Sequence, residues 1–241
     1  MKKLIEMKNV SFGYSSEKKI LENISITLFE GETLVIMGGS GSGKSTILRL
    51  LLGLNLPDSG AISILNEDVT GFSESEWLNV RKKIGMVFQD GALFDFMNIR
   101  ENVGYRLYEE NLSEKEIEKV VLEKLSIVNM NGTIEMMPSD LSGGMKRRIA
   151  IARALVGEPI MLFYDEPTTG LDPITAKQIV KHINYLRDTL NVGSIIVTHE
   201  LKYAFMLADR IIMIGDGHII FEGSVESLQK SENDYIKEFI L

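Results

Sequence analysis

The residues Gly38-Gly39-Ser40-Gly41-Ser42-Gly43-Lys44-Ser45-Thr46 constrain this chain more than any other segment. They satisfy the phosphate-loop pattern GxxxxGK[ST], and their context fits it: the apolar run Thr33-Leu34-Val35-Ile36-Met37 precedes them, and the helical pattern Ile47-Leu48-Arg49-Leu50-Leu51-Leu52 follows. A strand that ends in a glycine-rich turn and restarts as a helix aims backbone N–H groups and the positive end of a helix dipole at one point. That point suits phosphate. Lys44 is then placed for the β and γ phosphates of a nucleoside triphosphate, and the Ser45 hydroxyl for Mg²⁺. A flexible Gly/Ser turn explains the composition but not the flanking strand and helix.

Read along its length, the chain has three parts. Up to about Leu65, strand-like stretches such as Leu4–Met7 and Ile24–Leu28 are punctuated by Gly13, Gly31 and Gly60, which reads as a small β-rich lobe. From about Asp90 to Gly157 the character is helical, with Ser113 as an N-cap ahead of Glu114 and Glu116. Beyond it, the short runs Ile160–Tyr164, Ser194–Thr198 and Ile211–Ile214 alternate with helical segments. Runs apolar on both faces imply buried parallel strands and an α/β core. The stretch from Gly223 to Leu241 predicts a terminal helix packed on that core, through Val225, Leu228, Tyr235, Ile236 and Phe239.

Composition narrows the function. The formal net charge of -8 disfavours a nucleic-acid partner, and the absence of cysteine removes disulfides and thiolate metal sites. No apolar run approaches the roughly twenty residues of a spanning helix. With no secretion signal at its start, the chain is expected in the cytoplasm, meeting a membrane only through a partner.

Several polar residues stand at the ends of predicted strands. Asp165-Glu166 closes the run Ile160–Tyr164, where two carboxylates suit a cation and a water: Asp165 to bind Mg²⁺, Glu166 to polarise the attacking water. A solvated acidic turn before Pro167 is the plain alternative. His199 follows Thr198, placed to hydrogen-bond a γ phosphate, and Gln89 follows Ile84–Phe88, its amide oxygen within reach of Mg²⁺. Tyr14 offers a ring on which adenine can stack. A second glycine-rich segment, Leu141-Ser142-Gly143-Gly144-Met145, precedes a helix expected near Met145. Its N–H groups and the Ser142 hydroxyl make an anion site with no phosphate of its own.

In this order the motifs resemble those of ATP-binding-cassette (ABC) ATPases, over essentially the whole chain. Tyr14 corresponds to the A-loop aromatic, Gly38 to Thr46 to Walker A, Gln89 to the Q-loop, and Leu141 to Met145 to the signature. Ile160 to Glu166 matches Walker B with the catalytic glutamate, Gly170-Leu171-Asp172 the D-loop, and His199 the switch histidine. The resemblance implies a single nucleotide-binding domain, residues 1–241, of α/β class. Residues 1–89 and 158–241 would form an antiparallel β lobe and a RecA-like P-loop NTPase core, and residues 90–157 an inserted α-helical signature subdomain. It also implies a head-to-tail homodimer around two Mg-ATP. In each site Tyr14, Gly38, Gly39, Ser40, Gly41, Ser42, Gly43, Lys44, Ser45, Thr46 and Gln89 of one subunit and Ser142, Gly143 and Gly144 of the other hold ATP. Asp172 would also belong to the nucleotide-binding set, near the interface and joining one site to the other. Ser45, Gln89 and Asp165 hold Mg²⁺, and Glu166, His199, Gln89 and Lys44 carry hydrolysis.

Met145 stands where glutamine is usual, and the run LSGGMKRR with Gln89-Asp90-Gly91-Ala92-Leu93-Phe94 is similar to the ATPases of bacterial phospholipid transporters of the Mla or toluene-tolerance type. Those work with an integral permease and an MCE-domain protein. Leu93, Phe94, Phe96 and Met97 would then contact a cytoplasmic helix of the permease, or else pack inside the helical subdomain. The alternatives are an importer ATPase for another small solute and a non-transport ABC ATPase. A translation factor of this kind would carry two cassettes in tandem, and a chromosome ATPase a long coiled coil.

Overall fold

The structure is a computed structural model that describes residues 2–15, 18–110 and 112–240. The chain opens with β1 (Lys3–Phe12) and β2 (Leu21–Phe29), runs through β3 (Thr33–Gly38) into α1 (Lys44–Leu51), and continues as β4 (Ser59–Ile64) and β5 (Glu67–Asp68). Then come α2 (Glu74–Arg81), β6 (Ile84–Val87), α3 (Ile99–Gly104), α4 (Glu114–Ile127) and α5 (Gly143–Leu155). Strands and helices alternate through β7 (Met161–Asp165), α6 (Pro173–Leu190), β8 (Gly193–Thr198), α7 (Leu201–Leu207) and β9 (Arg210–Gly215). The chain closes with β10 (His218–Gly223), α8 (Val225–Gln229) and α9 (Asp234–Ile240).

Two sheets result. An antiparallel one has the order β2-β1-β4-β5, and a second has the order β10-β9-β3-β8-β7-β6, parallel throughout except for β10. Side chains of a strand alternate between its faces, so each buried strand feeds two cores. Val35 and Met37 of β3, Leu162 and Tyr164 of β7, and Ile196 of β8 pack with α4 to α7. Their neighbours Leu34, Ile36, Met161, Phe163, Ile195 and Val197 pack with α1 and the antiparallel sheet. This explains why the runs read as continuously apolar rather than alternating.

The parallel arrangement also builds the site. Strands β3, β6, β7 and β8 run in one direction, so Gly38, Gln89, Asp165-Glu166 and His199 all emerge from the same edge of the sheet. Ligands of open α/β sheets bind beyond the carboxyl ends of the strands for this reason.

Two helical boundaries differ from expectation. Helix α5 begins at Gly143 rather than near Met145, because Ser142 is its N-cap and accepts the Met145 N–H at 3.3 Å. The terminal helix is two short ones. Asn233 restarts the chain after α8, its side-chain oxygen accepting the Ile236 N–H and its carbonyl the Lys237 N–H. Leu241, the last residue of the predicted terminal helix, and Met1, the first of the predicted domain, lie outside the described residues. The Ser113 cap of α4 forms as expected, in a box with Glu116. Among the described residues no helix is long and apolar enough to cross a membrane.

Candidate functional site

The loop between β3 and α1 closes one side of an open cavity of about 900 Å³, lined by Gly39, Ser40, Gly41, Gly43, Lys44, Ser45 and Thr46. Gln89, Glu166, His199 and Tyr14 line it from other elements. Glycine is required at position 43: its φ is 100°, and a Cβ there would come within 2.6 Å of Leu21 Cδ2. Lys44 is buried, and its ammonium donates to the carbonyl oxygens of Gly38 and Gly39, each at 2.9 Å. Burial pushes it below the ordinary lysine value, opposed by the attraction of Glu166 and Asp165. An incoming phosphate offers this cation a full negative charge in exchange for two carbonyl dipoles.

Opposite Lys44, the Ser45 hydroxyl donates to Asp165 Oδ1 at 3.1 Å. Burial raises the Asp165 carboxyl above its ordinary range, with the Ser45 hydroxyl acting in the other direction. A partly desolvated carboxylate and a hydroxyl in one place are hard oxygen donors that would suit Mg²⁺. Among the described residues no cluster of three or more His, Cys, Asp or Glu could hold a metal ion.

Glu166 is the most connected group in the cavity. Its Oε1 is 2.9 Å from His199 Nδ1, and its Oε2 accepts from Thr169 Oγ1 at 2.9 Å and Thr198 Oγ1 at 3.1 Å. Thr198 Oγ1 in turn accepts the Glu200 N–H at 3.1 Å. The backbone of Glu166 is left-handed, with φ 48°, a conformation that costs a non-glycine residue roughly 1–2 kcal/mol. Its N–H donates to the Val197 carbonyl at 2.9 Å and its own carbonyl accepts from Arg147, so both backbone groups are held.

Tyr14 is 61% exposed and stands edge-on to Phe12, their centroids 5.0 Å apart, leaving its ring open to the cavity. Sequence reasoning missed a second aromatic. Phe239 of α9 lines the same cavity, and its neighbour Tyr235, stacked on it at 6.3 Å, brings its hydroxyl to 3.4 Å from where a Cβ on Gly39 would sit. Ile236 is buried in the core, and the i, i+4 spacing of Tyr235 and Phe239 puts both rings on one adjoining face. That spacing was visible in the sequence, but which surface the helix covers was not.

Ser142, Gly143, Gly144 and Asp172 do not reach this cavity. They sit together elsewhere, at the N-termini of α5 and α6. Asp172 caps α6, accepting the Ile174 and Thr175 N–H groups at 3.0 and 3.1 Å, and hydrogen bonds from Thr175 hold its carboxyl below the ordinary range. Gly144 permits the two helices to touch, since a Cβ on it would lie 2.2 Å from Thr175 Cγ2. Met145 is half-buried against the core rather than turned to the site.

The four residues expected to meet a permease helix, Leu93, Phe94, Phe96 and Met97, are divided between packing and exposure. Leu93 packs against the core, whereas Phe96 is 77% exposed and Phe94 36% exposed. Phe94 packs on Tyr105 at 5.1 Å. Beside them Met97, Arg100, Glu101, Tyr105, Tyr108 and Glu109 line a cleft of about 480 Å³.

A parallel sheet with a phosphate loop at the end of a central strand, and an acid pair at the end of the next but one, defines a P-loop nucleoside triphosphatase. The profile of the ABC transporter family matches residues 21–169, and the chain belongs to that family. It is 40% identical over 238 residues to MlaF, the intermembrane phospholipid transport system ATP-binding protein of Escherichia coli, covering 98% of this chain and 88% of that protein. Among solved structures, cbiO1 from Clostridium perfringens, part of the ABC transporter complex cbiONQ, superposes with a TM-score of 0.89 at 30% identity, over 99% of this chain and 94% of its own. The ATP-binding cassette MJ0796, a dimer in a post-hydrolysis state bound to ADP and Pi, superposes with a TM-score of 0.84 at 33% identity, over 92% of this chain and 99% of its own. As a family member this chain is an ATP-binding ATPase.

Proposed function

We propose that the chain is the ATPase subunit of a phospholipid transporter, working as a homodimer on the cytoplasmic face of a membrane through a separate permease and an MCE-domain protein. The observation that carries this reading is the 40% identity to MlaF, which extends over 98% of the chain.

In the proposed cycle the phosphate loop binds the triphosphate, with Lys44 leaving its two carbonyls for the β and γ phosphates and Tyr14 stacking on adenine. Mg²⁺, held by Ser45, Asp165 and Gln89, would neutralise charge between the phosphates. Glu166 orients the attacking water and accepts its proton, while His199 contacts the γ phosphate. The exposed N-terminus of α5, with Ser142, Gly143 and Gly144, closes over the partner's nucleotide in a two-fold arrangement. Loss of the γ phosphate removes the charge shared across the interface, and the dimer opens. Phe96, Tyr105 and Tyr108, around the cleft beside the loop after Gln89, offer the apolar surface on which a permease helix docks.

The test uses Glu166→Gln, expressed in the chain's own cells and trapped with Mg-ATP. Proteins and lipids that co-purify from gently solubilised membranes are identified by mass spectrometry. An integral permease with an MCE-domain protein and phospholipid is the expected result; a permease for another solute, or no membrane partner, discards the assignment.

A further inference from the structure

Helix α5 carries two arginines that hold loops other than its own. Arg147 is 4% exposed, and its guanidinium donates to the carbonyl oxygens of Glu166 at 2.9 Å and Thr169 at 3.5 Å. Arg153, on the same helix, donates to the carbonyls of Gly91 and Ala92, both at 2.7 Å. At 1.5 Å per residue the two arginines are set about 9 Å apart along the axis of one rigid rod. One grips the loop from which Glu166 projects, the other the loop that follows Gln89 and leads to the Phe94 surface. Burial lowers the Arg147 guanidinium from its ordinary value, and the neighbouring charges of Asp90 and Glu200 act against that. These are the residues next to Gln89 and His199, so four of the candidate motifs meet around one cation.

The Glu166 backbone needs such support. Its left-handed φ is unfavourable unless its surroundings over-determine it, and beyond the end of β7 at Asp165 its carbonyl keeps only the turn hydrogen bond from the Thr169 N–H, at 3.3 Å, as a main-chain partner. Arg147 adds the shorter bond, at 2.9 Å, and also holds the Thr169 carbonyl at the other end of the turn.

We propose that Arg147 is a positioning residue for hydrolysis: it fixes the strained backbone of Glu166 and ties the direction of that carboxylate to α5, which through Arg153 also holds the loop beside the docking cleft. The proposal rests on the reading of Glu166 as the hydrolytic residue. Arg147 touches no reacting atom; it acts through the Glu166 main chain. Lysine cannot replace it, because one ammonium lacks the planar fork that spans two carbonyls.

The experiment is a double-substitution cycle in the full chain within its membrane complex. Arg147→Lys and Arg147→Gln are each assayed alone and combined with Glu166→Gln, with kcat, KM for ATP and Tm recorded. Misplacing a catalytic group by about 1 Å can cost on the order of 100-fold, so kcat should fall about tenfold or more in both single variants while KM stays within about twofold. In the Glu166→Gln background the same substitutions should change the residual rate less than about twofold, because the group they position is already gone. Equal fold losses in both backgrounds, or an unchanged kcat, overturn the proposal. If Arg147→Gln does not fold, Arg147→Lys, which keeps the charge and the stem, carries the test. In it, amide exchange at 166–170 should quicken while the phosphate loop keeps its protection, and unaltered exchange there also overturns the proposal. Should Glu166→Gln alone hydrolyse at the original rate, the reading of Glu166 fails, and that outcome is separate from additivity.

Discussion

Gly144→Ala wedges α5 away from α6, and the structure sets the size of the effect. The new Cβ would lie 2.2 Å from Thr175 Cγ2, more than 1 Å inside an ordinary contact, with Thr175 Cβ and Oγ1 at a tolerable 3.5 and 3.8 Å. The strain is therefore confined to one methyl group. Overpacking of this kind costs about 1–3 kcal/mol, while replacing a helical glycine by alanine returns about 0.5–1 kcal/mol. The net loss is about 1 kcal/mol, which in a domain of this size lowers Tm by about 2–4 °C. Thr175→Ser deletes the offending methyl and keeps the hydroxyl beside Asp172. On its own it should cost about 0.8 kcal/mol of lost burial or less. Combined with Gly144→Ala it should recover most of the loss, so the cycle shows a favourable coupling of about 1 kcal/mol by thermal or urea unfolding. Additivity within about 0.3–0.5 kcal/mol would refute the close approach of the two helices at this pair.

Three further outcomes follow from the site. Burial raises Asp165 in the folded chain, so its ionised form opposes folding at neutral pH; Asp165→Asn should raise the Tm of the nucleotide-free protein while removing the stabilisation that Mg-ATP gives, both read by thermal shift. Asp172 is shifted the other way by the Thr175 hydroxyl and N–H, so its cap stabilises the fold above the ordinary carboxylate range and is lost as pH falls through its depressed value; the Tm difference between wild type and Asp172→Ala should shrink on acidification. Phe239→Ala removes an aromatic wall of the cavity and should weaken Mg-ATP binding several-fold by calorimetry, on the scale of a lost aromatic contact of about 0.5–1.5 kcal/mol, with unchanged affinity denying α9 a part in the site.

What could be read from the sequence was what local chemistry specifies. The phosphate loop, the acid pair and His199 each terminate a run that becomes a strand, so a period-two core and a common strand direction bring them to one edge without further information. The boundaries that shifted depended on single caps: Ser142 pulls Gly143 and Gly144 into α5, and Asn233 breaks the terminal segment into α8 and α9. Arg147 illustrates what spacing leaves open. In the basic run Lys146-Arg147-Arg148, both Arg147 and Arg148 lie three or four residues from Gly144 and Ile151, so helical periodicity does not separate them, and the packing of α5 buries Arg147 more deeply than Arg148. The target of Arg147, the carbonyl of Glu166, and the left-handed turn there depend on how β7 meets α5, which no local pattern encodes. The docking of α9 over the phosphate loop is long-range in the same sense.

The central proposal, a nucleotide shared between one subunit's phosphate loop and the other's signature segment, is tested most directly by the oligomeric state of Glu166→Gln with and without Ser142→Arg, measured by sedimentation with Mg-ATP. Glu166→Gln should sediment as an ATP-dependent dimer. The double variant should bind ATP with similar affinity and remain a monomer, because the arginine blocks the site offered to the partner's γ phosphate. An ATP-driven dimer in the double variant would contradict a composite site.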